Sequence, residues 1–379
     1  MDFSYTEEQL ALEDTLRRFF AKDYTFDKRR EFKDSPAGFS QEAWRSYADL
    51  GILALPFPEA FDGLNGTALD TLVVMRALGA GLALEPYVGA VVLCGDILKT
   101  HASPQQKAAL IPALGSGTLL LALAHYEPQS RYCESAVGTR ATRHGNQWRL
   151  DGHKAVVLAA ASADKLLVSA LTGGDDNDQA ISLFVVAADT PGLTFRHYEC
   201  HDGTRAADIV LDKAMLNEDA LLGPEGQALP AIMQAIALAN VALAAEAAGI
   251  MQALNGATLD YLKTRKQFGV PLGSFQALQH RMADMAIASE QADSMALLAA
   301  IEMQNPDAAT RLRRASGAKT FVGQKARHVG QEAIQLHGGI GVTEELSVGH
   351  YFKRLTVINS LFGDVDFHLQ RYSDMILAA

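Results

Sequence analysis

The sequence predicts an α+β multidomain chain: a helical segment, then a small β segment, then helices again. Apolar residues recur at helical spacing through the first 115 residues and again after residue 223. Between these stretches the period shortens to brief apolar runs with Asp-Gly and Gly-Asn turn signals between them. At 379 residues the chain exceeds one ordinary core, so three domains are expected, over 1–115, 116–223 and 224–379.

Taken in order, Thr6-Glu7-Glu8-Gln9 supplies an N-cap residue and early acids, and opens the first helix. The prolines and glycine of Pro56-Phe57-Pro58-Glu59-Ala60-Phe61-Asp62-Gly63 interrupt the helical pattern with a loop. Leu119-Leu120-Leu121-Ala122-Leu123-Ala124 marks the change of period. Trp148-Arg149-Leu150-Asp151-Gly152-His153-Lys154 reads as a strand, a tight turn and a second strand, which places His153 in the turn. Residues 166–170, 181–186 and 207–211 are further strands. Helices resume after Gly223-Pro224-Glu225-Gly226, and Pro271, Gly273 and Pro306 mark the breaks between them.

A formal net charge of -11 argues against nonspecific nucleic-acid binding, while Lys263, Arg265 and Lys266 form a local basic cluster. Cys94, Cys133 and Cys200 are too few and too scattered for a disulfide framework, which fits a reducing, cytoplasmic setting. Met1-Asp2-Phe3-Ser4-Tyr5-Thr6-Glu7-Glu8 lacks the basic start and apolar run of a signal peptide. The longest apolar run, 235–248, contains Asn240 and Glu246 and reads as a buried helix, so no membrane association is expected. The 11 histidines show no zinc spacing, and no metal site is expected.

Two glycine-punctuated stretches in the helical last third carry the chemistry: Arg265-Lys266-Gln267-Phe268-Gly269 and Gln335-Leu336-His337-Gly338-Gly339-Ile340-Gly341. Glycine weakens a helix interior by roughly 1 kcal/mol, so a Gly-Gly-x-Gly run implies close approach of backbone to something. Arg265 offers a planar fork to phosphate oxygens and Phe268 a ring face. Backbone N–H groups at Gly338, Gly339 and Gly341 suit an anion, and Gln276 and Gln335 add neutral hydrogen bonds. Together these fit a large, flat, anionic ligand such as a dinucleotide.

With Gly273-Ser274-Phe275-Gln276 and Asp62-Gly63-Leu64-Asn65-Gly66, these motifs resemble, in order along essentially the whole chain, the acyl-CoA dehydrogenase superfamily. Glu127-Pro128-Gln129-Ser130-Arg131-Tyr132, Gly349-His350-Tyr351-Phe352-Lys353-Arg354 and Leu361-Phe362-Gly363-Asp364 are most similar to the small subunit of pimeloyl-CoA dehydrogenase and related heteromeric enzymes. The resemblance implies an N-terminal helical domain, a middle β-barrel and a C-terminal four-helix bundle. It also implies FAD between subunits, with its pyrophosphate and adenosine held by the Arg265 and Gly338 segments of a neighbouring chain. The implied reaction is α,β-dehydrogenation of an acyl-CoA to a trans-2-enoyl-CoA, with a dicarboxylic or steroid-derived acyl group as one expectation. A homologous subunit in a heterotetramer, or a second copy of this chain, is the implied assembly partner, and an electron-transfer flavoprotein the implied electron acceptor.

The chain departs from the family pattern on the flavin side and at the base. Tyr126-Glu127-Pro128 keeps the start of a flavin-contacting segment, but Gln129 to Cys133 replace its remainder. Val156 and Leu158 replace the flavin-covering aromatic and the flavin-bonding threonine. His125, Tyr126 and Arg131 are either substitutes or ordinary loop residues. The resemblance puts Phe362 where the family's catalytic glutamate stands, Ala239 at a second base position, and Asn240 at a substrate-side arginine. Asp364 is the candidate base, or the N-cap of a helix beginning near Val365. Asp366 is a weaker candidate, and Glu246 is equally readable as a helix-packing acid. Alternatively the chain is a non-catalytic partner binding FAD in trans, or a flavin oxidase or monooxygenase of the same fold.

Overall fold

A computed structural model describes residues 5–173 and 180–378; the first four residues of the N-terminal reading lie outside them. The opening helices are α1 (Glu7–Lys22), α2 (Phe26–Asp34), α3 (Gln41–Asp49), α4 (Ala68–Ala80), α5 (Gly95–His101) and α6 (Pro104–Gly115), with a buried π-helical segment over Val88–Cys94. Thr6 caps α1 through the reciprocal bonds of a capping box with Gln9, as its sequence predicts. The Pro56–Gly63 interruption holds one short 3-10 turn, Glu59–Phe61. It folds back so tightly that a Cβ on Gly63 would lie 2.0 Å from the Phe57 carbonyl oxygen.

Eight strands follow: β1 (Leu121–Ala124), β2 (Arg140–His144), β3 (Gln147–Leu158), β4 (Lys165–Leu171), β5 (Ile181–Ala187), β6 (Leu193–Glu199), β7 (Arg205–Asn217) and β8 (Leu221–Leu222). One antiparallel half runs β6-β7-β3-β2 and the other joins β4, β5 and β8, with β1 parallel to β4. A single parallel pair, Arg140 with Leu171, bridges β2 and β4, and the path leaves β6 and β8 as its ends. The predicted turn at Asp151-Gly152 is absent. The hairpin turn is Gly145-Asn146, and β3 runs unbroken through Gly152, which places His153 in a strand. Gly152 instead marks an irregularity against β7. It admits Thr139, whose Oγ1 would lie 2.3 Å from an added Cβ. Strands β2 and β6 escape sequence reading because most of their side chains are exposed or half-buried and carry no apolar run.

The last third comprises α7 (Leu229–Thr264), α8 (Gln276–Glu302), α9 (Ala308–His337), α10 (Ser347–Ser360) and α11 (Val365–Leu377). A two-residue-strand hairpin, β9 (Lys266–Gln267) with β10 (Val270–Pro271), joins α7 to α8. Helix α7 is long and apolar enough to cross a membrane by length and composition, yet 83% of its most apolar window is buried inside the protein.

Packing groups the chain into two compact units. One comprises 1–31, 68–83 and 240–379; the other comprises 32–67 and 84–239. The N-terminal helices are thus shared out, α1 and α4 going with the C-terminal helices and α3, α5 and α6 with the strands. The first unit is organised by a backbone-to-backbone crossing of α4 and α7. A Cβ on Gly79 would stand 2.2 Å from the Glu246 carbonyl oxygen, and one on Gly249 would stand 2.1 Å from that of Arg76.

This crossing generates a contrast. Gly79→Ala and Gly249→Ala are each expected to lower unfolding free energy by about 1–3 kcal/mol or more, because neither backbone can yield locally. Gly256→Ala, also within α7 but with open space around its missing Cβ, is expected to raise it by roughly 1 kcal/mol. Urea titrations of the three variants check this; equal effects at Gly79 and Gly256 would refute the crossing.

Candidate functional site

Within the first unit, the end of α7, the β9–β10 hairpin, the start of α8 and the end of α9 enclose a cavity of about 600 Å³. Its lining includes Tyr261, Arg265, Arg281, Gln335, His337, Gly338 and Gly339. Arg265 sits one residue beyond α7, with its N–H donating to the Tyr261 carbonyl (2.8 Å) and its own carbonyl accepting from the Leu272 N–H (2.8 Å). The hairpin therefore returns to its starting point and holds the arginine backbone at the cavity edge. Phe268 and Gly269 form the hairpin tip at φ +54° and +84°. A bulky residue at positive φ is strained, and such strain marks functional positions. Phe268 is 91% exposed, and its ring meets that of Phe275 at right angles, at 6.2 Å between centroids.

Gly338 closes α9 at φ +64°, ψ -144°, a region that suits glycine alone. A Cβ at Gly338 or Gly339 would meet nothing within 4 Å, so no internal packing demands glycine at Gly339. Gly341 differs: an added Cβ would lie 2.9 Å from the Ile334 carbonyl oxygen, so its glycine serves the chain's own packing. The sequence grouped all three as anion donors. The cavity lining brings together Arg265, Gln335, Gly338 and Gly339. Phe268 stands at the hairpin tip, and Gln276, exposed at the head of α8, is not part of that lining. This donor set, one exposed guanidinium with neutral amides and uncovered glycine backbone, fits a dinucleotide phosphate.

On the flavin-side segment, in the second unit, Tyr126 is half-buried just after β1, and its carbonyl accepts from the Ala155 N–H (2.8 Å). Beside it lies a network missed from sequence. The Glu127 carboxylate accepts from the Gly138 N–H (2.8 Å), the Thr139 N–H (2.9 Å), the Thr139 hydroxyl (2.7 Å), the Gln129 amide (2.6 Å) and Lys154 Nζ (2.6 Å). Lys154, with no exposed side-chain surface, also donates to the His125 carbonyl (3.1 Å) and Ser169 Oγ (3.1 Å). All three ammonium protons are used, which a buried cation requires. Burial alone would raise the Glu127 pKa; the Lys154 charge and the bonds from Lys154 and Thr139 override it and hold the group down at about 2. Burial, then the Lys154 charge, keep His125 neutral. The signal was present: both departing segments retain their charged residue, Glu127 in one and Lys154 in the other. The network clamps the neck of the 126–138 loop. Arg131, at φ +47°, is exposed in that loop. Val156 is bulged out of β3 at φ +53° and 52% exposed, its N–H donating to Asp208 Oδ1 (3.1 Å).

Phe362 is nearly buried at φ +55°, with its carbonyl bound to His368 Nε2 (3.0 Å). Lys319, buried on α9, donates to the carbonyls of Ile358 (2.7 Å) and Leu361 (2.6 Å) and so closes the end of α10. Burial, then the Arg354 charge, pull its pKa down to about 7, against Glu246 and Asp364. Asp364 is the N-cap of α11, accepting from the Phe367 N–H (2.9 Å). Asp366 follows in the first turn of that helix. Glu246 forms a buried two-point pair with Arg354, at 2.6 and 2.8 Å, and is a helix-packing acid. Ala239 and Asn240 are buried, and Asn240 Oδ1 has no hydrogen-bond partner among the described residues.

Residues 6–118, 122–214 and 226–376 match the families described as acyl-CoA dehydrogenase N-terminal, middle and C-terminal domains. The probable acyl-CoA dehydrogenase YngJ of Bacillus subtilis (strain 168) is 31% identical over 92% of each chain. Among solved structures, a Tcur3481-Tcur3483 steroid ACAD is similar at TM-score 0.87 and 30% identity over 98% of each chain. A chain of the ChsE4-ChsE5 complex from Mycobacterium tuberculosis is similar at TM-score 0.90 and 25% identity over 100% of each.

The clamp yields a pH test. Glu127→Gln is expected to cost about 3–5 kcal/mol at neutral pH, because Lys154 loses its counter-charge. A carboxylate with a depressed folded pKa contributes stability above its ordinary value of 4.5 and loses it as pH falls toward about 2. The gap between wild type and variant, from urea unfolding at several pH values, should therefore narrow over that window. A gap independent of pH would contradict the assignment.

Proposed function

The chain belongs to the acyl-CoA dehydrogenase family, and on that premise we propose that it works as one subunit of a heteromeric acyl-CoA dehydrogenase. Members of the family bind FAD and dehydrogenate acyl-CoA thioesters. In this reading the 600 Å³ cavity grips the phosphates and adenosine of FAD, and a homologous partner subunit supplies the carboxylate that removes the α proton. FAD, when bound, supplies the acceptor for the β hydride, and the product is a trans-2-enoyl-CoA. The proton passes to the partner's carboxylate and the electron pair leaves to an electron-transfer flavoprotein. A bulky or steroid-derived acyl group is the proposed substrate class, supported by likeness to a protein described as a steroid ACAD.

The observation that carries this reading is that two of the three candidate acids, Asp364 and Glu246, are committed to internal bonds. Asp364 caps a helix, Glu246 is locked to Arg354, and Phe362 fills the glutamate position with its carbonyl tied down. A general base needs a carboxylate free to reach a proton. In this chain, Arg265 holds anionic oxygens, Gln335 and the Gly338-Gly339 backbone add neutral donors, and the Glu127–Lys154 pair keeps the 126–138 loop in shape.

Two variants test the proposal. Asn caps helices as well as Asp does, so Asp364→Asn should leave stability and turnover of the assembled enzyme within about twofold. A loss of activity of roughly a hundredfold or more would make Asp364 the base. Arg265→Ala should weaken flavin retention by about tenfold or more, through loss of a charge-assisted bond worth roughly 1.5–3 kcal/mol. Unchanged flavin occupancy on the visible spectrum would remove the phosphate role.

A further inference from the structure

The cavity is lined by two guanidinium groups, and the fold treats them differently. Arg265 makes no ion pair among the described residues. Arg281 is the other, on α8, and its Nε donates to Glu332 Oε2 of α9 at 2.5 Å. The two residues are 51 apart in sequence, so the pairing of α8 with α9 makes this contact. The Glu332 side chain is 21% exposed, so water screens its charge only in part. Glu332 is not itself part of the lining, which holds no carboxylate among the described residues. Burial lowers the His337 pKa, so that ring adds no charge at neutral pH. Two guanidinium groups and one carboxylate therefore leave a single net positive charge around the cavity.

An anion site that cancels one of its own cations is unusual. The bond to Glu332 leaves Arg281 with free N–H groups but no unbalanced charge to offer. Such a site still suits a pyrophosphate diester, gripped by Arg265 and by neutral donors. It suits poorly any ligand that brings a further phosphate, because that phosphate meets the Glu332 carboxylate without a free cation to offset it. The reaction of the family brings just such a pair of ligands together. FAD and acyl-CoA both contain adenosine joined to a pyrophosphate diester, and CoA alone carries an additional phosphate, on the ribose 3′ oxygen. A grip of one arginine, neutral amides and glycine N–H groups acts on the part that the two molecules share. Charge acts on the part that differs.

We propose that Glu332 is a specificity-determining residue: by neutralising Arg281 it turns away adenosine diphosphates that carry an additional ribose phosphate, and so keeps CoA out of this cavity. The inference rests on the reading of the cavity as a dinucleotide site. It assigns Arg265 and Arg281 opposite parts. Arg265 attracts the pyrophosphate, and Arg281 is held in check so that attraction stops there.

The test uses the full chain in its assembled form, stripped of flavin. ADP and 3′-phospho-ADP, the nucleotide end of CoA, each compete against FAD binding followed by flavin fluorescence, so nucleotide bound elsewhere on the enzyme is not counted. Wild type should favour ADP by about tenfold or more, the effect of one uncompensated charge in a partly desolvated site. Glu332→Gln keeps the size of the side chain and an oxygen for Arg281 but removes the charge, and the preference should fall to one or below. Arg281→Gln leaves the carboxylate without its cation, and the preference should grow several-fold. Raising salt from about 0.05 to about 0.5 M should shrink the wild-type preference, as screening requires. Because the readout is a ratio within each protein, a general loss of stability does not mimic it. A wild-type ratio near one overturns the inference, as does a ratio that survives Glu332→Gln or is indifferent to salt. The two readings separate: if both nucleotides displace FAD equally well, only the Glu332 assignment falls. If neither displaces FAD, and Arg265→Ala leaves flavin occupancy unchanged, the dinucleotide reading falls and takes this inference with it.

Discussion

The constraint on which the helical unit depends is the contact between α4 and α7, where two glycines let backbone meet backbone. Gly79 faces the Glu246 carbonyl and Gly249 faces that of Arg76, each at a distance no side chain could share. Fixing α7 there fixes what hangs from it. One turn from Gly249, Glu246 reaches the Arg354 guanidinium and ties α10 to the central helix. Four turns further on, Tyr261 stacks on His337, and Arg265 begins the hairpin at the cavity edge. A single buried helix therefore sets both the α10 region and the cavity at the end of α7.

Electrostatics divides the chemistry in a way the charge total does not suggest. In a chain of net charge -11, the buried lysines Lys154 and Lys319 serve architecture: one neutralises Glu127, the other closes the end of α10. Arg265, in contrast, is exposed at a cavity rim with open glycine backbone. Buried charge, fully hydrogen-bonded, buys rigidity. Exposed charge beside uncovered N–H groups remains available to a ligand. The acids divide likewise, with Glu127, Glu246 and Asp364 each spent on internal bonds.

Much of this was legible in the residues, for identifiable reasons. The capping box at Thr6 and the helix breaks at Pro271 and Pro306 were readable because local chemistry alone decides them. Gly338 and Gly339 stood out because glycine weakens a helix interior, and the fold brings them to one cavity with Arg265 and Gln335. The Asp151-Gly152 turn misled: that glycine makes room for Thr139, a contact between residues 13 apart in sequence that no local rule reports. Gly341 misled similarly, since its neighbour is the Ile334 carbonyl of its own chain. Glu127 and Lys154 are 27 residues apart, and only the tertiary fold, with its bond from the Ala155 N–H to the Tyr126 carbonyl, brings them together. Asp364 was readable both as base and as cap, and its bond from the Phe367 N–H shows the cap.

The hairpin tip has a bearing on the life of the polypeptide itself. Phe268 is held outward in a conformation that disfavours a bulky side chain, and nearly all of its ring meets water. Uncovered aromatic surface is what chaperones bind and what draws chains into aggregates. Wherever that ring is left uncovered, the hairpin tip therefore gives chaperones an apolar handle on a chain that is otherwise fully folded.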